Sequence, residues 1–76
     1  MNEVTRTIDA RGQKCPMPVL LVAKAAKEMV SGETVILEAT DGGARSDIPA
    51  WASQTGNEII STSEFDGVLS FTIRKK

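Results

Sequence analysis

Hydrophobic and polar positions alternate over Val4–Ile8, with Val4, Arg6 and Ile8 set against Thr5 and Thr7. This predicts a short strand, followed by the loop Asp9-Ala10-Arg11-Gly12-Gln13-Lys14. The period then lengthens. Val19, Val22, Ala23, Ala26, Met29 and Val30 recur at helical spacing, while Lys24, Lys27, Glu28 and Ser31 fall on the other side. An amphipathic helix is expected there, closed at Gly32 by a left-handed cap residue. Pro16 and Pro18 stand at its start, where the first amides have no internal partner and a missing N–H costs nothing. Glu33–Thr40 is the next strand, centred on Val35-Ile36-Leu37, and Asp41-Gly42-Gly43-Ala44 reads as a flexible turn. A second helix follows, with Ser46 as its cap, Asp47 placed for the dipole and Pro49 in the first turn. Its buried stripe is Ile48, Trp51, Ala52 and Thr55, and Gly56 closes it. Ile59–Ser63 and Val68–Arg74 are strands joined by Glu64-Phe65-Asp66-Gly67, where Asp-Gly is a strong hairpin signal. Leu69, Phe71 and Ile73 alternate with Ser70 and Thr72, so one face of the sheet is expected to be buried.

The order β-α-β-α-β-β shows no repeat and no linker. It predicts an α+β fold, a two-layer α/β sandwich in which two helices cover one face of a four-stranded mixed sheet, as a single domain over residues 1–76. A chain of 76 residues buries only ~60–65% of its unfolded surface, so the core is small. Small domains often rely on a disulfide or a metal. Here one cysteine cannot close an internal disulfide, and without histidine an ordinary zinc site lacks its ligands. The 41% apolar content is nonetheless too high for a disordered chain. The net charge of −1 is not that of a nucleic-acid binder, so no direct nucleic-acid contact is expected. Arg74-Lys75-Lys76 reads as a short solvated basic tail. The apolar run Met17–Ala23 is too short to span a bilayer. Asn2, Glu3 and Arg6 interrupt any signal peptide, and a lone free thiol fits the reducing cytoplasm.

Chemistry concentrates at Cys15, where the loop meets the first predicted helix. The positive end of a helix dipole, amides of the first turn from Met17 and Val19, and the charges of Lys14 and Arg11 all favour a thiolate there. The plainer alternative is a small buried hydrophobe, as free cysteines often are. The flanking prolines favour the reactive reading, because framing one cysteine rigidly has no evident packing purpose. Hydrolytic cysteine chemistry normally needs a histidine base, and thioredoxin-type exchange needs a resolving cysteine; the chain has neither. What remains is accepting a group and handing it on. Sulfane sulfur held as a persulfide suits this best, with a mixed disulfide or a thioester as the other options.

The run Asp9-Ala10-Arg11-Gly12-Gln13-Lys14-Cys15-Pro16-Met17-Pro18, followed by Gly32-Glu33, Asp41, Asp47-Ile48-Pro49 and Gly56, resembles the TusA/SirA/YedF family of small sulfur-carrier proteins over essentially the whole chain. The resemblance implies a βαβαββ sandwich and a persulfide on Cys15, with no other cofactor. It also implies a cysteine desulfurase or rhodanese-like sulfur donor and a downstream acceptor protein. The sulfur would go to 2-thiouridine in tRNA, to sulfur oxidation or to cofactor sulfuration. Such a chain is sulfurtransferase-like but turns over only with its partners, and a carrier docking with each in turn is expected to be a monomer. Cys15 takes the carrier role, Gly12, Pro16 and Pro18 shape the site, and Asp41 matches an acidic loop position tied to partner contact or activity. Members devoted to tRNA thiolation have glutamate where this chain has Met17 and tend to arginine where it has Ala23; both differences remove charge from the docking face. Gly42 replaces a common proline, and Asn57 stands where histidine is usual.

Met17 and Leu20 fall away from the buried stripe beside Cys15 and form a candidate docking patch, or simply scattered surface apolar residues. Lys14 and Arg11 are candidates for stabilising the sulfur anion or steering an acidic partner, and otherwise are solvated loop charge. Asp41 could equally be a turn former. Two further classes stay open at this point: a non-catalytic interaction or regulatory module with a structural Cys15, and a single-cysteine redox sensor.

Overall fold

The computed structural model describes residues 5–14 and 16–76. Its elements are β1 (Thr5–Ala10), α1 (Met17–Lys27), β2 (Thr34–Ala39), α2 (Ala44–Thr55), β3 (Glu58–Phe65) and β4 (Val68–Arg74). The sheet order is β1-β2-β4-β3. β1 and β2 are parallel, with Ala10 opposite Ala39, whereas β4 is antiparallel to both β2 and β3. Parallel strands need a crossover, and α1 supplies it. The expected two-layer α+β sandwich with a four-stranded mixed sheet is what forms.

Strand period and register together choose the buried face. Val35 pairs with Ile73, Leu37 with Phe71 and Ala39 with Leu69, and all six side chains are buried. The helices return Val22, Ala25, Ala26, Ile48 and Ala52 to the same layer. The alternation of Leu69, Phe71 and Ile73 is therefore the inward face of a central strand, as its sequence predicts. Between them, Ser70 and Thr72 lie on the opposite, partly exposed face with Ile36 and Glu38.

Several boundaries differ from the sequence expectation, each for a local reason. α1 stops at Lys27 rather than running to Gly32. Its end tightens, with Glu28 and Met29 donating to the carbonyls three residues back (3.0 and 3.2 Å). The Glu33 carboxylate then accepts from the Val30 amide at 2.8 Å, so this amide has a partner outside a helix. Val30 is consequently 66% exposed rather than part of the apolar face. Gly32 is left-handed, at φ 92°, but it serves the turn into β2, where its N–H donates to the Lys75 carbonyl. In α2 the N-cap is Gly43, not Ser46; the Ser46 hydroxyl instead lies 3.4 Å from the Gly43 carbonyl. Pro49 consequently falls in the second turn rather than the first. Thr55 is exposed, and its hydroxyl donates to the Trp51 carbonyl at 2.8 Å. Gly56 closes the helix in the left-handed region, as expected. The last hairpin is tighter than predicted. Phe65 and Val68 still pair, leaving Asp66 and Gly67, both at positive φ, as a two-residue turn. Val4, assigned to the first strand from sequence, lies outside the described residues.

Phe71 is 1% exposed and faces Leu37 across the centre of the sheet. Phe71→Ala should cost about 3–5 kcal/mol, most of the stability of so small a domain. A urea titration followed by far-UV circular dichroism measures it.

Candidate functional site at the ends of the parallel strands

Because β1 and β2 are parallel and end in register, the segments that follow them leave the same edge of the sheet. A direct bond joins the two segments: the Gly12 N–H donates to the Thr40 hydroxyl at 2.8 Å. The first segment opens with a tight turn in which the Gln13 N–H donates to the Ala10 carbonyl at 3.1 Å. Gly12 occupies its third position at φ 79°, a conformation that side chains other than glycine's rarely adopt. That requirement, and not crowding, is what calls for glycine, since an added Cβ would meet nothing within 4 Å.

Arg11 is held rather than free. Its guanidinium donates to both oxygens of the Asp9 carboxylate (2.8 and 3.0 Å), and its backbone N–H donates to the same group at 3.0 Å. These bonds bring the Asp9 pKa down to about 2 and raise that of Arg11. Arg11 therefore arrives at the loop with its charge largely offset. Lys14 is exposed and forms no ion pair among the described residues.

Pro16 is the N-cap of α1, and its carbonyl accepts from the Leu20 N–H at 3.1 Å. Pro18, in the first turn, is fully buried, so this proline is a packing anchor as well as a conformational one. The Met17 amide is not available to a sulfur, contrary to the sequence expectation: it donates to the Lys14 carbonyl at 2.8 Å. No acidic residue lies in the first turn of α1, so the positive end of its dipole is not opposed from within the helix. Met17 is 38% and Leu20 54% exposed, an apolar pair on the outward side of α1. Asp41 is on the neighbouring segment, half-buried, with its carbonyl accepting from Ala44 at the start of α2. Cys15 itself lies outside the described residues. Its sequence neighbours Lys14 and Pro16 are both exposed.

The Gly12–Thr40 bond sets Arg11, Gly12 and Lys14 beside the segment that carries Asp41, and Pro16, Met17, Pro18 and Leu20 follow at the start of α1, Pro18 buried and Met17 and Leu20 on its exposed side. Two contributors were missed in the sequence. Thr40, the strand-end hydroxyl that ties the loops, carries no signal in a single chain. Asp9 does carry one, since a carboxylate two residues before an arginine across a turn is placed to clamp it.

A model of the family described as "Sulfurtransferase TusA" matches residues 6–75. The chain belongs to the TusA family. The sulfur carrier protein TusA of Allochromatium vinosum is 39% identical over 75 residues, covering 99% of both chains. The TusA of Pseudomonas entomophila is 37% identical over 70 residues, covering 92% of this chain and 88% of that one. In structure, the SirA-like protein of Desulfitobacterium hafniense superposes with a TM-score of 0.82 at 34% identity, covering 91% of this chain and 95% of that one. This TusA-family protein is a sulfur carrier, a role that entails proteins that supply the sulfur and proteins that take it. None of the described helices is long and apolar enough to cross a membrane.

The clamp gives a pH prediction. Asp9 is held below its ordinary 3.8, so its contribution is full above that value and is lost as pH falls through about 2. Followed by the Asp9 side-chain carboxyl carbon in NMR, the midpoint should lie near 2 and return toward 3.8 in Arg11→Gln.

Proposed function

We infer that this TusA-family chain carries its sulfur as a persulfide on Cys15. The observation that supports the reading most directly is the environment made by its neighbours. Lys14 is an exposed cation with no ion pair among the described residues, and α1 begins at Met17 with no acidic group in its first turn. A thiol beside a lysine and a helix N-terminus ionises more readily than a free one, and the thiolate is the nucleophile. The chain has no histidine and no second cysteine, so neither a base nor a resolving thiol competes for what the sulfur receives.

The transfer balances without an oxidant. The Cys15 thiolate attacks the outer sulfur of a donor persulfide. A new S–S bond forms, the donor's S–S bond breaks, and the donor leaves as a thiolate. An acceptor thiolate then attacks the outer sulfur on Cys15 and regenerates the Cys15 thiolate. No resident cofactor takes part. The donor is a cysteine desulfurase or a rhodanese-like protein, the acceptor is the next protein of a sulfur relay, and the setting is the reducing cytoplasm.

Met17 and Leu20, with Asp41 on the adjoining segment, form the surface on which a partner seats while the sulfurs meet. Met17 and Ala23 add no charge to α1, which favours relays other than the one ending in thiolated tRNA.

Incubation with cysteine and a desulfurase should add the mass of one sulfur atom, removable by reductant, and Cys15→Ser should abolish it. A Cys15→Ser protein that still gains the sulfur would falsify the assignment. Leu20→Asp should leave stability within about 0.5 kcal/mol, since the side chain is exposed, yet slow loading from the donor. Unchanged loading rates would remove Leu20 from the docking surface.

A further inference from the structure

Along the C-terminal half of α1, about 9–15 Å from its first residue, an open groove of about 320 Å³ lies between the two helices and the end of β4. Ala23 and Ala26 of α1 and Trp51 of α2 give it apolar walls, and Asn57 and Thr55 close one end. Three lysines, Lys27, Lys75 and Lys76, complete the lining, which contains no Asp or Glu side chain.

The distribution of charge makes this groove distinct. Each of the four arginines is paired: Arg6 with Glu28, Arg11 with Asp9, Arg45 with Glu64 and Arg74 with Glu58. The groove's three lysines have no ion pair among the described residues. Three of the chain's five lysines therefore line one concavity without an Asp or Glu partner among the described residues, in a protein whose net charge is −1. Both helices end here, and their negative dipole ends weigh against an anion. One last-turn carbonyl of α2, that of Ala52, is already engaged, however, since the Thr55 hydroxyl reaches it at 3.3 Å as well as the Trp51 carbonyl at 2.8 Å. An anion would be held from the tail side, by the ammonium groups.

The wall is also built in advance. The Asn57 side chain, 9% exposed, donates to the Thr55 hydroxyl at 2.9 Å and accepts from the Lys76 N–H at 2.9 Å. The tail is thereby fastened to the end of α2, and not merely solvated as its sequence suggests. The Lys76 stem lies against Gly56, where an added Cβ would come within 2.8 Å of its Cδ. A cavity of this size with one aromatic wall, small apolar side chains and a cationic rim matches a small flat molecule bearing negative charge.

We propose that this groove is a binding site for a small planar organic anion, an aromatic carboxylate or a nucleoside monophosphate, whose ring lies against Trp51 and whose charge meets Lys27, Lys75 and Lys76. The anion site needs no residue that takes part in the sulfur transfer, so its test uses no sulfur donor, and its failure would leave the persulfide reading untouched.

Trp51 is the only tryptophan and the chain has no tyrosine, so indole fluorescence of the whole reduced protein reports on the groove alone. Benzoate and adenosine monophosphate are titrated against their uncharged counterparts, benzamide and adenosine. At least one anion should shift the emission saturably, weaken with added salt and move the Asn57 and Lys76 amide resonances. Its neutral counterpart should bind several-fold more weakly. Lys27→Gln with Lys76→Gln, with an unchanged circular dichroism spectrum, should weaken the anion about three- to tenfold. Which anion binds decides between the two ligand sources. Equal binding of the neutral counterparts, or no saturable response to either anion, overturns the proposal. So does a response only to the end-blocked peptide Glu-Phe-Glu, which would make the groove a protein-docking surface.

Discussion

The parallel pairing of β1 with β2 is the constraint from which the site follows. Two parallel strands ending in register, Ala10 beside Ala39, must send their next segments out from one edge. The crossover between them must begin at that edge and return the length of the sheet. This is why the start of α1, the loop that precedes it and the Asp41 segment converge although far apart in sequence. The 2.8 Å bond from Gly12 to Thr40 fixes what topology has already brought together. In open α/β sheets, ligands bind outside the carboxyl ends of the strands, which is the end from which these two segments leave.

The same topology separates charge along the molecule. In the loop before α1 the only arginine is neutralised by Asp9. What remains positive is Lys14 and the end of a helix dipole. Met17 and Leu20 leave apolar surface exposed on the same helix. Toward the C-terminal end of α1, three lysines are gathered without an Asp or Glu partner among the described residues. The core between the two ends is a single layer of side chains such as Phe71, Leu37 and Ile48, so each end keeps its shape through the packing of the same two helices.

Periodicity made most of this fold legible. The alternation of Leu69, Phe71 and Ile73 and the stripe of Val22 and Ala26 identified buried faces that the structure confirms. Asp66-Gly67 identified the hairpin, because only residues tolerant of positive φ fit a two-residue turn there. Misreadings occurred where a side chain took over a backbone bond. Met29 and Val30 continue the helical spacing, yet the Glu33 carboxylate captures the Val30 amide and the helix ends early. Ser46 has the composition of a cap, yet the helix starts two residues before it, because Gly43 and the Asp41 carbonyl already supply the first turn. Such competitions depend on distances of a few tenths of an ångström that hydrophobic pattern does not encode.

For the candidate site, the sequence points to a residue but not to the electrostatics around it. Cys15 stands out because the chain has no second thiol and no histidine, and an argument by exclusion needs only composition. Counting Arg11 as a free positive charge fails for a different reason. Formal charge is additive along a sequence, but the field at a site depends on which charges are already paired, and that is decided by the turn that folds Arg11 back onto Asp9. The tail shows the converse. Lys75 and Lys76 look like solvent-exposed charge in the sequence, and they become part of a surface because Asn57 is buried against the last backbone amide. In so small a domain one such side chain decides whether a terminal basic pair is a frayed end or the wall of a groove.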